Sequence, residues 1–201
     1  MKSILWTAGL AALMLSSRPA CAGDEAAPAA MAFTGADRIL VLAPHPDDEV
    51  LACGGIVQSA LAQTAAVEIV YYTYGDNNEW AFTLYRHHPV LEPGAMRLMG
   101  EVRHDEAMAA AQALGLDRSH LRFLGYPDFG TLHIWQSHWN QEPPFRSMLT
   151  RVTAVPYADA YRPGAPYKGE ASLSDLKALL LEIQPTHIFV SHPGDHNPDH
   201  L

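Results

Sequence analysis

The stretch VLAPHPDDEVLACGG, Val41 to Gly55, is an apolar run that stops at a proline and then sets down His45 and three consecutive acids, Asp47, Asp48 and Glu49. Adjacent carboxylates repel one another, so they belong at the end of an apolar run only where solvent, a helix N-terminus or a cation offsets their charge. His45 and Asp48 are spaced so that, at a strand-to-helix junction, an imidazole and a carboxylate converge on one point. A second stretch, SHPGDHNPDH from Ser191 to His200, carries His192, Asp195, His196, Asp199 and His200. A third ligand drawn from this stretch completes a site of two histidines and one carboxylate with an open position, the pattern of catalytic zinc.

Such a site needs elements that bring the two stretches together. Residues 38–43 (RILVLA) form an apolar run of strand length, and residues 49–63 place small and apolar side chains at helical spacing. A second strand is expected over residues 67–74 (VEIVYYTY) and a helix over 101–114, closed by Gly115. A short strand over 121–124, a helix over 172–183 and a last strand over 186–190 follow. Strands of buried composition alternating with helices predict an α/β fold, a mostly parallel sheet covered by helices, with ligands gathering at the carboxyl ends of the strands. Both acidic and histidine-rich stretches follow predicted strands. Residues 76–100 and 129–170 break the alternation and read as long irregular segments, which in a compact domain tend to be functional. Their aromatic residues, Trp135 and Trp139 above all, are candidates to stack on a ring-shaped ligand.

Composition narrows the partners. The formal net charge is −9, and Lys2 and Arg18 both fall in a leading segment that contains no acid. An acidic domain of this kind does not suit a nucleic-acid or anionic-membrane surface, and a small-molecule or glycan substrate fits better. Residues 4–15 are apolar but too short to span a bilayer, and the small-x-small triplet Ala20, Cys21, Ala22 marks a cleavage point. Residues 1–22 are therefore expected to be a signal peptide, 23–35 a flexible lead-in, and the protein exported to a periplasm or secreted. After cleavage only Cys53 is left, so no intrachain disulfide is expected. The oligomeric state is not legible.

The two stretches resemble the signatures of the PIG-L (LmbE-like) zinc-dependent N-deacetylases: [AP]HPDDE in residues 44–49 and D-x-[HN]-P-D-H in residues 195–200. Arg103 with Glu106, the Leu114-Gly115 ending, and Leu124-Gly125 with Asp128 are similar to intervening segments of the same family. The resemblance covers residues 36–201. It implies a Rossmann-like three-layer α/β/α sandwich, a bound Zn2+ and hydrolysis of an N-acetyl group, typically on a glucosamine unit. By the same resemblance His45, Asp48 and His200 bind the metal and Asp47 is the general base, facing a metal-bound water because neighbouring side chains diverge. Glu49, Asp195 and Asp199 are expected to support these groups, the two later aspartates by holding histidine tautomers, and Arg103 to grip substrate or orient Asp47.

Many family members carry a histidine as general acid where this chain has Asn197. Either His192 or His196 is expected to reach in as acid or oxyanion donor, or Asp47 works alone. Two other functions share these residues: a metal amidase for a non-sugar acyl amide, and a catalytically silent carbohydrate-binding module. Because His200 is followed only by Leu201, and the resemblance implies more of the domain after that histidine, the chain is also expected to be an incomplete, C-terminally truncated domain.

Overall fold

A computed structural model describes residues 31–77 and 92–201; the expected signal peptide and Trp80 and Tyr85 lie outside the described residues. Strand β1 (Arg38–Ala43) pairs in parallel with β2 (Ala66–Thr73) on one side, Ile39 opposite Val67, and with β4 (His187–Phe189) on the other, Ile39 opposite His187. Strand β3 (Leu121–Tyr126) adds in parallel beyond β2, so the order across the sheet is β3-β2-β1-β4. Ile39, Leu40 and Val41 are all buried, which in a pleated strand means that both faces of the sheet are covered.

The order has a functional consequence. From β1 the chain moves outward through β2 to β3 and then returns to the opposite flank of β1 as β4. The reversal leaves a crevice at the carboxyl ends of β1 and β4, the place where open α/β sheets bind ligands. HPDDE leaves β1 there and SHPGDHNPDH leaves β4 there. The Thr73 N–H and hydroxyl both donate to the Pro44 carbonyl, at 3.0 and 2.9 Å, tying the start of the first stretch to the end of β2.

Several elements differ from expectation. The helix expected over 49–63 is two, α1 (Asp48–Leu51) and α2 (Gly54–Ala62). The helix expected to begin at Glu101 begins one segment earlier, so α3 spans Pro93–Ala113 with its proline in the first turn, where a missing N–H costs nothing. Its buried residues Met96, Met99, Gly100, Arg103, His104, Ala107 and Ala111 recur at helical spacing, which places Arg103 on the inner face of the helix. Within the region read as irregular, α4 (Thr131–Ser137) follows β3, and α5 (Gly169–Ile183) begins ahead of the expected start at Ser172. A single 3-10 turn, Pro198–His200, carries the last histidine.

Candidate active site

Three groups from two strand ends meet in space. His45 Nδ1 lies 3.2 Å from His200 Nε2 and 3.4 Å from Asp48 Oδ2, and His200 Nε2 lies 3.6 Å from the same oxygen. Tetrahedral zinc with bonds of 2.0–2.1 Å separates its ligand atoms by about 3.3 Å, so this triangle has the dimensions of one face of such a site. The three residues fit the metal on donor chemistry as well, since two imidazole nitrogens and a carboxylate oxygen are its common ligands. Asp48 is fixed by the local turn, its Oδ2 also accepting the His45 backbone N–H at 2.8 Å.

The opposite nitrogen of His45 explains how the ring is aimed. His45 Nε2 lies 3.2 Å from Asp199 Oδ2, the hydrogen-bond acceptor, with Asp128 Oδ1 also at 3.2 Å. A proton held on Nε2 leaves the Nδ1 lone pair facing Asp48 and His200. Asp195 does the same for the other ring, its Oδ2 lying 2.9 Å from His200 Nδ1. Asp199 and Asp195 thus each lie within hydrogen-bond distance of a histidine ring nitrogen. His45, Asp128 and Asp199 form a second group of potential metal ligands, but Asp199 already accepts from Phe129 and Thr131. That use leaves it an orienting carboxylate.

Electrostatics point the same way. Burial alone lowers the basicity of His45, yet hydrogen bonds to Asp128, Asp199 and Asp48 override it and raise its pKa to about 11. The pocket thus favours positive charge at the point where the three ligands meet. Burial opposes ionisation of Asp48 and Asp199, but hydrogen bonds, from His45 in both cases, hold each below the usual carboxylate range. The Asn197 N–H and the His200 ring bring Asp195 down to about 2.

Asp47 stands apart from these ligands. Its backbone adopts φ 139°, a region that residues with a Cβ avoid at a cost of about 1–3 kcal/mol. Its carboxylate meets Arg103, whereas that of Asp48 meets His45. Two contacts hold Asp47: its N–H donates to Glu49 Oε2 at 2.9 Å, and Arg103 Nη2 donates to Asp47 Oδ2 at 3.2 Å. Glu49 is buried and accepts the Asp47 N–H within the turn. Arg103 also donates to the carbonyls of Pro46 at 2.6 Å and Gly75 at 3.1 Å, so it is anchored to the backbone before it meets Asp47. Gly75, at φ +64°, is needed for that approach, because a Cβ there would fall 1.9 Å from Arg103 Nη1. Burial raises the pKa of Asp47 and the Arg103 charge opposes the shift.

These groups open onto a cavity of about 610 Å³ lined by His45, Asp47, Asp48, Asn77, Arg103, Asp128, Asn197 and His200, with Leu51 and Phe129 contributing apolar surface. Seven expected site residues are not among its lining: Glu49, Asp195 and Asp199, which contact residues that are, and His192, His196, Trp135 and Trp139. His192 and His196 are exposed, and the His192 ring accepts the Gly194 N–H within its own loop. Asn197, not either histidine, reaches the cavity. Trp135 lines a neighbouring cavity that shares His200 with the first, and Trp139 packs over Gly169 and donates its ring N–H to the Trp135 carbonyl. Trp139 is thus seated against the start of α5, whereas Trp135 is 54% exposed on the wall of the neighbouring cavity. In their place the chain brings Asp128, Phe129 and Asn77, which were not marked as site residues. A signal for Asp128 existed, since it follows a strand end as His45 does.

At the switch point of a parallel α/β sheet the chain thus brings together two histidines and a carboxylate with the spacing and donor atoms to hold a metal ion, beside a further aspartate. The family described as GlcNAc-PI de-N-acetylase, PIG-L, matches residues 40–201, and the chain belongs to that family. It is 28% identical over 167 residues to a 1D-myo-inositol 2-acetamido-2-deoxy-alpha-D-glucopyranoside deacetylase of Mycobacterium sp. (strain KMS), covering 82% of this chain and 46% of that protein. The chain thus spans about half the length of the curated relatives it matches. Among solved structures, an N,N'-diacetylchitobiose deacetylase from Pyrococcus horikoshii shares the fold at a TM-score of 0.52 and 20% identity, over 82% of this chain and 45% of that one. GalB, the 4-carboxy-2-hydroxymuconate hydratase of Pseudomonas putida KT2440, shares it at 0.52 and 21%, over 81% of this chain and 51% of that one.

Proposed function

We propose that this protein is a zinc-dependent hydrolase that removes the acetyl group from an N-acetylglucosamine-type sugar or glycoconjugate, releasing acetate and a free amine. The observation that carries the reading is the triangle of His45 Nδ1, Asp48 Oδ2 and His200 Nε2 with Asp47 beside it in one cavity. Family membership and the deacetylase named among its relatives support the acetamide as the scissile group.

His45, Asp48 and His200 would hold the metal, which when bound acidifies a water and polarises the acyl oxygen. Asp47 takes the proton of the attacking water. Its raised pKa suits that task, because a base closer to neutrality accepts a proton more readily in the transition state. Arg103 holds the Asp47 carboxylate in place and, buried as it is, keeps it ionised before the attack. With His192 and His196 outside the cavity lining, Asp47 is also the group that returns the proton to the leaving nitrogen. Asn77, Asp128 and Asn197 offer hydrogen-bonding atoms for sugar hydroxyls.

The direct test is incubation of the zinc-loaded protein with N-acetylglucosamine and its glycosides. Acetate and primary amine should appear in equal amounts; release of neither, with zinc bound, would exclude the reaction. We further propose export by a signal peptide, supported by the apolar residues 4–15 and the Ala20-Cys21-Ala22 triplet. No helix among the described residues is long and apolar enough to cross a membrane. N-terminal sequencing of protein recovered outside the cytoplasm should begin at Gly23, and an uncleaved cytoplasmic product would reject the proposal.

A further inference from the structure

Phe129 is at odds with its setting. Its neighbours Pro127, Asp128 and Gly130 are buried, yet Phe129 is 48% exposed and lines the cavity that contains Asp47. Its backbone is left-handed, φ 56°, a conformation that costs a residue with a Cβ about 1–2 kcal/mol and that glycine would adopt freely. Packing does not account for this arrangement, since about half of the residue faces solvent.

A backbone bond from the Gly130 N–H to the Pro127 carbonyl closes this turn, and one carboxylate caps it. Asp199, with a side chain 0% exposed, accepts the Phe129 N–H on Oδ2 and both the N–H and hydroxyl of Thr131 on Oδ1. The same Oδ2 lies 3.2 Å from His45 Nε2. One buried group therefore ties the position of an exposed ring to the position of a metal-ligating histidine. Leu51, 80% exposed, supplies further apolar surface to the same cavity. The remainder of the lining is polar: Asp47, Asn77, Arg103, Asp128 and Asn197. A cavity lined by polar groups together with a half-exposed aromatic ring matches a pyranose, which has hydroxyls around its edge and an apolar C–H face.

We propose that Phe129 is a substrate-binding residue that stacks on the sugar ring and thereby selects cyclic over acyclic N-acetyl compounds. The inference rests on the deacetylase reading for the identity of the sugar. The stacking contact itself is read from the cavity. It also moves the aromatic platform from Trp135 and Trp139 to a residue in the same cavity as Asp47.

Binding is best followed by calorimetry in an Asp47→Asn background, so that no substrate is consumed, with N-acetylglucosamine as the cyclic probe and N-acetylethanolamine as the acyclic one. Phe129→Gly is the informative substitution, because it relieves the left-handed backbone and leaves the fold at least as stable in a thermal melt. We expect it to weaken N-acetylglucosamine binding about fivefold to tenfold, the scale of an aromatic stacking contact, and to leave the acyclic probe unchanged. Phe129→Tyr should restore the affinity. Equal affinity for the sugar in parent and Phe129→Gly, an equal loss for both probes, or no sugar binding by the parent would overturn the proposal. Acetate release by the unsubstituted protein separates the two readings: Phe129-dependent sugar binding without acetate release removes the deacetylase and leaves the platform, and acetate release with Phe129-independent binding does the reverse.

Discussion

Asp47 occupies a backbone conformation that folding alone does not favour, and the bonds that keep it there lead to Glu49 and Arg103. Strain of this kind persists where surrounding structure imposes it, and at a cavity it points to a group whose direction matters. The Asp47→Asn variant should keep its metal, because no ligand is altered, and should lose about 10²- to 10⁴-fold in kcat, the range for removal of a general base. Elemental analysis alongside acetate release checks both halves; loss of the metal would exchange the roles of Asp47 and Asp48. Gly75→Ala tests the anchor. A methyl group at φ +64°, 1.9 Å from Arg103 Nη1, must displace the guanidinium, so turnover should fall by at least about tenfold while metal content holds. An unchanged rate would show that Arg103 does not set the position of Asp47.

Among the elements, contiguous motifs were the most legible part of the chain. β1, β2 and the carboxyl-end placement of both clusters follow from runs of apolar residues that end abruptly in polar ones, and the parallel sheet follows from their composition. Asp128 and Phe129 were harder to mark, because their part in the site arises from β3 lying two strands from β1, a property of the folded sheet with no trace in local spacing. For Trp135 and Trp139 it was the local element that spacing did not give. Large aromatic rings in a segment read as irregular suggest a ligand, but α4 forms there, seating Trp139 against Gly169 and leaving Trp135 exposed at a neighbouring cavity. Proline at 93 was read as a loop residue, although the first turn of a helix is where it is best tolerated. The packing of α3 also carries a pH dependence. Asp76 is pressed between that helix and Tyr157, whose hydroxyl donates to it at 2.5 Å, and burial pushes its pKa up to about 7. A folded-state pKa above the unfolded one gives stability that is complete below about pH 4 and lost as pH rises through about 7, on the order of a few kcal/mol. Asp76→Asn keeps an acceptor for Tyr157 and removes the proton, so denaturant midpoints at pH 5 and pH 8 should lie closer together in the variant than in the parent. Equal differences in the two proteins would show that Asp76 ionises normally.

For the molecule as a whole, the site joins the two flanks of the sheet: His45 and Asp48 follow β1, and His200 comes from the last turn after β4. A metal bound by both flanks binds the folded state and not the unfolded one, so it adds about 2.7 kcal/mol of stability at a free concentration 100 times its dissociation constant. Chelation should therefore lower the Tm, and restoring zinc should recover it; a Tm indifferent to chelation would mean that the three ligands do not share one ion. The central claim is that one such ion, held by His45, Asp48 and His200, is required for deacetylation. The measurement closest to that claim is the titration of zinc into metal-free protein while acetate release from N-acetylglucosamine is followed. The rate should start at background, rise in proportion to added zinc and level off at one equivalent per chain. Full turnover before any metal is added, or a rate that is indifferent to zinc, would contradict it.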